Sequence, residues 1–327
     1  MKNKYFFFLF LVIALAASFI ISLIFGGTPI SFNELLTGLK SSTGIEYAII
    51  WKIRIPRIML SIFVGAGLAV SGCVLQGILR NPLAEPYTLG ISGGAAFGVT
   101  VAVLLGIGSL GLPLLAFAGG LLSVFLVYLI ASKKYFSVST LILGGVILSF
   151  LFSSMVMLIF SIARTDKIHT TLLWLMGDLS GADTNLILIC GLFIFFGILI
   201  LFVFNREIDI LTLGEEKAVF LGIDSAKTLK LLFVITSLIT GACVAVSGII
   251  GFVGLLIPHF IRNLTGPKYS TLIINSALAG AIFLCLADAI ARTVIYPVEL
   301  PVGVITGIAG GLFFIFYLLK SKEWEIF

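Results

Sequence analysis

Residues able to carry chemistry are few in this sequence, and their spacing fits no common catalytic site. The two histidines, His169 and His259, lie far apart and lack the spacing of metal ligands. His259 follows Pro258, where a histidine more often bonds a helix end. The sequence has no phosphate-binding loop of the form GxxxxGK[ST] and no Ser/His/Asp arrangement. It therefore predicts neither an enzyme acting alone nor a cofactor or metal held by this chain.

Charged residues inside the apolar segments are rarer still. Asp288 is the clearest carboxylate, and Arg292 follows it by four positions. This spacing favours an ion pair along one helix face, and the alternative is proton or ion coupling. A self-powered transporter would normally carry more charge within its spans, so we expect the energy source to lie elsewhere.

The composition identifies the class of protein that must position these residues. Of 327 residues, 60% are hydrophobic and 11% are charged, whereas soluble domains carry about 25% charged residues. Several apolar runs reach the roughly 20 residues that cross a bilayer as a helix. The sequence thus predicts an all-α polytopic membrane protein. Its net charge of +5 reflects cytoplasmic loops and not nucleic-acid binding.

Ten hydrophobic segments follow one another without a soluble domain, so we expect residues 1–327 to form a single transmembrane domain. The first has the grammar of a signal peptide, but its length favours a retained helix. Four cysteines lie in apolar segments without a CxxC pair and are predicted to be buried thiols. The ten segments are approximately 5–26, 57–79, 86–107, 112–131, 138–161, 184–204, 228–249, 251–264, 271–291 and 302–320.

The distribution of lysine and arginine predicts that both termini are cytoplasmic. With ten crossings, 13 of the 20 Lys and Arg residues fall inside and seven outside, as the positive-inside rule requires. Lys52, Arg54 and Arg57 fall together on the outside, against the rule. A cluster on this side calls for a reason beyond topology, and anchoring of lipid phosphates by interfacial arginines is one candidate.

A four-residue sequence that occurs twice indicates how the segments are arranged. The letters AVSG occur at 69–72 and at 245–248, and the same offset gives nine identities over positions 65–90. The two copies lie five segments apart, so they cross the membrane in opposite directions. An inverted repeat is typical of alternating-access transporters, and the alternative is a common packing motif. We expect Pro82 to end a helix and Pro258 to break the short eighth segment.

One charged stretch, residues 205–230, is the longest predicted cytoplasmic connection. Thr212, Glu215 and Gly222 have the spacing of a helix cap and stop, which predicts a surface helix of about two turns. Such a helix fits a cleft in a soluble partner, and the alternative is a solvated loop.

Seven motifs together resemble one family, the FecCD-type permease subunits of ABC importers for iron–siderophore complexes, haem and cobalamin. The resemblance covers roughly residues 54–320. The motifs are RIPR (54–57), NPLAEPYTLGISGGA (81–95), WLMGDLSGA (174–182), LGEEKAVFLG (213–222), GFVGLLIPHFIRNLTGP (251–267), LADAIAR (286–292) and ELPVGVITGIAGGLFF (299–314).

The resemblance implies a permease in the prokaryotic cytoplasmic (inner) membrane that works as a homodimer. Two ATPase subunits would lie beneath it, bind ATP and Mg, and hydrolyse the ATP, so that this chain would not itself be an enzyme. An extracytoplasmic binding protein would dock above and deliver the metal chelate. The repeat halves would be about 54–161 and 227–320, with a coupling loop at about 205–227, and the fifth and tenth segments would line the pathway.

The resemblance also carries roles to individual residues. It implies that Arg54, Arg57 and Arg292 face outward and pair with acidic residues of the binding protein. The residues implied to contact the ATPase are Gly214, Glu215, Glu216 and Gly222. Two alternatives remain open at this point: an independent secondary transporter, and a receptor-like membrane subunit without a pathway.

Overall fold

The structure is a computed structural model and describes residues 2–28, 32–108, 110–134, 136–181 and 183–320. The regular secondary structure of these ranges is helical. In chain order the elements are α1 (Lys2–Ile24), α2 (Phe32–Lys40), α3 (Ile45–Tyr47), a π-helical stretch (Ala48–Arg54), α4 (Ile55–Ile78), a 3-10 turn (Pro86–Leu89), α5 (Ile91–Leu104), α6 (Gly111–Ser132), α7 (Val138–Ile162), α8 (Thr165–Leu175), α9 (Thr184–Val203), α10 (Asn205–Leu211), α11 (Glu215–Phe220), α12 (Ser225–Ser247), α13 (Val253–Thr265), α14 (Tyr269–Ala291) and α15 (Val302–Lys320).

Each of the ten predicted segments contains a helix, and the all-α membrane fold is confirmed. Within the described ranges, seven helices are long and apolar enough to cross a membrane. Two more, Ile91–Leu104 and Val302–Tyr317, are apolar but shorter. Helix α13 has 13 residues and rises only about 20 Å, less than the roughly 30 Å hydrocarbon core of a bilayer. The number of ten crossings stays a prediction.

Helix α4 is the centre of the bundle, and small residues let its neighbours approach closely. A Cβ on Gly65 would lie 2.3 Å from the carbonyl oxygen of Gly280 in α14. A Cβ on Gly72 would lie 1.9 Å from the carbonyl oxygen of Gly254 in α13. Backbone therefore packs directly on backbone at both contacts, and any larger residue would force the helices apart.

The two copies of AVSG lie in neighbouring helices that run in opposite directions. The Ser71 hydroxyl of α4 donates to the Thr236 carbonyl of α12 at 3.4 Å, while the Cys243 thiol lies 3.9 Å from the Val64 carbonyl oxygen. Later residues of α4 thus meet earlier residues of α12. This antiparallel arrangement is what two oppositely inserted copies require, and the division into repeat halves stays a prediction.

The first helix packs against the bundle. The Ser22 hydroxyl lies 3.4 Å from the Cys285 carbonyl oxygen of α14, and the Cys285 thiol donates to the Ser18 carbonyl at 3.5 Å. Helices α8 and α10 were not predicted. Both carry polar residues that interrupt the hydropathy signal of a spanning segment.

Candidate functional site

Five charged residues meet at the end of the bundle where α4 begins and α14 ends. We name Arg54, Arg57, Asp288, Arg292 and Glu299 the arginine cluster. The Arg57 Nε donates to both carboxylate oxygens of Asp288, at 2.9 and 3.1 Å, and Nη2 lies 2.9 Å from Oδ1. The Arg57 Nη1 donates to Glu299 Oε2 at 2.6 Å. One guanidinium therefore joins α4 to α14 and to the loop before α15.

The pairing of Asp288 with Arg292 along α14 is confirmed. The Arg292 Nε lies 3.0 Å from Asp288 Oδ2. Its Nη2 also donates to the Ser22 hydroxyl of α1 at 2.8 Å. Asp288 thus accepts from two arginines, one predicted and one 231 positions away, and Arg292 also ties α14 to the end of α1.

Arg54 has a different environment, because it bonds backbone carbonyls instead of a carboxylate. Its guanidinium donates to the carbonyls of Leu23, Ile24 and Thr28. Leu23 and Ile24 are the last residues of α1, whose terminal carbonyls lack partners within the helix and carry partial negative charge. Arg54 therefore caps α1.

In this structure the three arginines are enclosed by other groups of the same chain, and their contact with a binding protein stays a prediction. Arg54, Arg57 and Arg292 are only 3%, 6% and 3% exposed. The sequence showed where cations accumulate but not that Asp288, Glu299 and the end of α1 converge on them. The solvent-accessible member is Glu299, whose side chain is 41% exposed.

A second group of motif residues surrounds a non-helical segment, residues 248–252, between α12 and α13. The Glu85 Oε1 accepts from the Phe252 backbone N–H at 2.7 Å. The Tyr87 hydroxyl contacts both the carbonyl oxygen and the amide nitrogen of Ile250 at 3.1 Å. Glu85 and Tyr87 thereby satisfy backbone groups that lie outside helices, as a non-aqueous surrounding requires.

Two other motifs close around the same segment through glycines. A Cβ on Gly248, whose φ is +67°, would lie 2.3 Å from the Trp174 carbonyl oxygen. A Cβ on Gly303 would lie 2.3 Å from the Met176 carbonyl oxygen and 2.7 Å from that of Ile249. The sequence placed these motifs far apart along the chain, and the structure gathers three of them around one irregular stretch that overlaps the start of a fourth, 251–267.

The break in the eighth segment lies earlier than predicted. Helix α13 continues through Pro258, and the interruption is the non-helical segment before it. Proline has no N–H for the Gly254 carbonyl, but the buried Gln76 amide of α4 donates to the carbonyls of Gly254 at 3.4 Å and Leu255 at 3.2 Å. The interhelical amide thus replaces the missing helical bond. Pro82 lies in the loop after α4, which ends at Ile78.

At the opposite end of α4, α11 forms the predicted short surface helix. It begins after Gly214, whose φ is +111°, and Gly222 follows its end with φ +82°. The predicted cap is wrong, because the Thr212 hydroxyl donates to the Asp209 carbonyl at 2.6 Å instead. Glu215 lies 3.9 Å from Arg80, in a half-exposed pair.

One side of this segment presents large apolar side chains to the surroundings. Phe220 is 90% exposed, and Val219 and Leu221 are about 60% exposed, whereas Ala218 is buried against the bundle. Exposed apolar clusters on short polar segments are typical of protein contact sites.

The predictions about metals and thiols concern the rest of the molecule. Among the residues that the structure describes, no group of three His, Cys, Asp or Glu side chains could hold a metal ion. Cys73, Cys243 and Cys285 are buried and Cys190 is half-buried, and all four are unpaired thiols. A pocket of about 300 Å³ beside Trp174 includes Asp178 and Asp183, and both carboxylates already bond local groups.

Comparisons with known proteins agree over nearly the whole chain. The sequence model of the FecCD transport family matches residues 14–320. The Fe(3+) dicitrate transport system permease protein FecD of Escherichia coli is 36% identical, over 96% of this chain and 98% of its own. The cobalamin import system permease protein BtuC of Halobacterium salinarum is 41% identical, over 84% of this chain and 74% of its own. A solved inward-facing structure, assigned to the metal-chelate type of ABC transporter, is 33% identical with a TM-score of 0.85, over 97% of this chain and 100% of that one.

Proposed function

Because the chain belongs to the FecCD transport family, we propose that it is the membrane-spanning permease subunit of an ATP-driven importer for a metal chelate. The match to an inward-facing metal-chelate type transporter along the whole chain carries this proposal. The chelate class is iron–siderophore, haem or cobalamin, because relatives of 34–41% identity are named for iron dicitrate, hemin and cobalamin transport. ATP and Mg would bind to separate ATPase subunits, so this chain would not catalyse hydrolysis.

We propose α11 with its flanks as the contact with the ATPase. Gly214 and Gly222 delimit the helix, and Glu215 and Glu216 lie in its first turn. Negative charge there is stabilised by the helix dipole, and the exposed Phe220 offers an apolar anchor. Anchors of this kind commonly carry most of the energy of a protein interface.

Docking of a binding protein at the arginine cluster is proposed in a modified form. The guanidiniums are already bonded within the chain, so an acidic partner would have to replace an internal acceptor. Glu299 is the member that solvent reaches, and its bond to Arg57 is the one that such a partner could exchange. Arg54 and Arg292 would then hold the local structure, because they bond α1 and α14.

The remaining features of the proposal come from the family. The working unit would be a homodimer in the prokaryotic cytoplasmic membrane, with both termini and α11 on the cytoplasmic side and the arginine cluster outside. Lipid would cover the apolar faces of helices such as α7 and α9, whose side chains are largely exposed in the single chain.

The experiment is reconstitution of the purified chain in proteoliposomes with its ATPase subunits and the cognate binding protein. Ferric dicitrate, haem and cobalamin are each offered on the binding protein. We expect one of them to accumulate, and only when ATP is enclosed with the ATPase. Accumulation by this chain alone would indicate an independent secondary transporter. Failure of the chain to copurify with any ATPase, with uptake intact after charge reversal at Glu215 and Glu216, would support a receptor-like subunit.

A further inference from the structure

Helix α13 is a short helix with a break in the helical backbone at each end. The non-helical segment 248–252 precedes it, with positive φ at Gly248 and Phe252, and Gly266 follows it with φ +86°. Helices bounded in this way can shift as units, because a few residues at their ends absorb the change in backbone angle. The start of α13 is held by Glu85 and Gln76, as described above.

The end of α13 is held by one tyrosine at the start of α14. The Arg262 Nη2 of α13 donates to the Tyr269 hydroxyl at 3.2 Å. The same hydroxyl donates to the Cys73 carbonyl of α4 at 3.3 Å. A Cβ on Gly77 would lie only 2.2 Å from this hydroxyl oxygen, so the tyrosine is seated directly against the α4 backbone. Tyr269 is 2% exposed.

The backbone of Tyr269 is bound to the segment that leads into α11. Its amide donates to Asp209 Oδ1 of α10 at 2.9 Å. Three residues separate α10 from α11, and this link is internally hydrogen-bonded from Gly214 N to the Leu211 carbonyl at 3.1 Å. A displacement of α11 would therefore be transmitted to α10, and through Asp209 to Tyr269.

On its other side α13 contacts α15. The ring of His259 meets that of Tyr317 edge-on with centroids 4.9 Å apart, and Phe314 lies 6.2 Å away. His259 is 7% exposed, and within the described part of the chain its Nε2 has no hydrogen-bond partner, so the contact is one of packing. The contacts thus continue from α10 through Tyr269 and α13 to α15.

We propose that Tyr269 is a positioning residue. It connects the α10–α11 segment to α13, and the α10–α11 segment thereby sets the position of α13 against α15. The proposal rests on the proposed function, because it requires an ATPase to move α11. Tyr269 is bonded to α10 through its backbone amide and to α13 through its hydroxyl. Such chains of direct contacts carry energetic coupling between distant sites.

The test is amide hydrogen exchange of the assembled transporter in nanodiscs, with and without ATP. In the wild type we expect ATP to change exchange both in residues 205–223 and in residues 248–265. Tyr269→Phe keeps the ring but removes the hydroxyl. We expect it to retain the ATP response of 205–223 and to lose that of 248–265. The matched control is Tyr128→Phe, which should keep both responses. Tyr128 is a half-buried residue of α6 whose ring contacts that of Phe136.

Further variants keep the test decisive. Arg262→Gln should also lose the ATP response of residues 248–265. The double variant with Tyr269→Phe should lose no more than either single variant, since the effects of two residues that act through one contact are not additive. Asp209→Asn keeps an acceptor oxygen and should respond as wild type, whereas Asp209→Ala should not. If Tyr269→Phe does not assemble, Arg262→Gln carries the same prediction.

Three results would overturn the inference. The first is an ATP response of residues 248–265 in Tyr269→Phe that equals the wild-type response. The second is the absence of any ATP response of residues 248–265 in the wild type. The third is faster exchange of residues 248–265 in Tyr269→Phe to the same extent with and without ATP, which would mean a merely structural role. A wild type without any ATP response in 205–223 would instead refute the proposed function.

Discussion

Arg57 and Asp288 form a buried ion pair through two nitrogens and two oxygens, although 231 positions separate them. Arg57 opens α4 and Asp288 lies in the last turn of α14, so the pair fixes the register of two central helices. Charges are costly inside a membrane protein and are retained where they pair or act. A motif arginine that resembles a docking residue thus also holds the fold together.

Replacing Arg57 should destabilise the protein strongly. Arg57→Gln leaves Asp288 with one fewer partner in a buried site, and breaking a buried pair costs about 3–5 kcal/mol. The measurement is thermal unfolding of the purified protein in detergent. Arg164→Gln is the matched control, because Arg164 pairs with Asp166 at the surface, 87% and 60% exposed, and such pairs contribute about 0–1 kcal/mol. Equal melting temperatures for both variants would show that the buried pair does not stabilise the fold.

Removing the charge of Glu299 should strengthen docking of the binding protein. Glu299→Gln weakens the internal acceptor that competes for Arg57, and a partly exposed pair contributes about 0.2–1 kcal/mol. The affinity of the binding protein for the reconstituted transporter should therefore rise about 1.5- to 5-fold, measured by surface-based binding kinetics. Unchanged or weaker binding would refute the exchange of partners at the arginine cluster.

The contacts of the arginine cluster show which features could be predicted from the sequence and which could not. Hydropathy located the ten helices, and the spacing of Asp288 and Arg292 predicted a pair within one helix, because both are local properties. The contact of Arg57 with Asp288 depends on how α4 meets α14, which no local pattern contains. For the same reason no local pattern predicted that these arginines are already bonded within the chain, and their orientation toward a binding protein stays a prediction.

The helix breaks illustrate a second limit. Pro258 indicated an interruption, but the Gln76 amide on another helix supplies the hydrogen bond that proline lacks. The real interruption depends on Glu85 and Tyr87, which belong to a motif more than 160 positions away. The motif was visible in the sequence, and its partner was not.

A methyl group on Gly72 should disrupt the contact of α4 with α13. Gly72→Ala places a Cβ 1.9 Å from the Gly254 carbonyl oxygen, and overpacking costs about 1–3 kcal/mol or more. Gly311→Ala is the control, since a Cβ there meets nothing within 4 Å and alanine favours a helix by about 1 kcal/mol. In thermal unfolding we expect the melting temperature to fall in Gly72→Ala and to rise in Gly311→Ala. Equal stability of Gly72→Ala and wild type would contradict the backbone contact.

Truncation of Phe220 should release the ATPase subunits. Phe220 is 90% exposed on α11, and burying a phenylalanine contributes about 1.5–3 kcal/mol, so Phe220→Ala should weaken association about tenfold or more. The measurement is the amount of ATPase that copurifies at matched expression. Phe196→Ala, at a 57% exposed position of the apolar helix α9, should have no effect. Retention of the ATPase by Phe220→Ala would exclude α11 as the main contact.

The most direct test of the transport assignment is uptake into proteoliposomes that contain this chain and its ATPase subunits, with the loaded binding protein outside. The account predicts that the chelate accumulates when ATP is inside and stops when ATP is replaced by a non-hydrolysable analogue. Equal accumulation with the analogue, or in vesicles that lack the ATPase subunits, would contradict it.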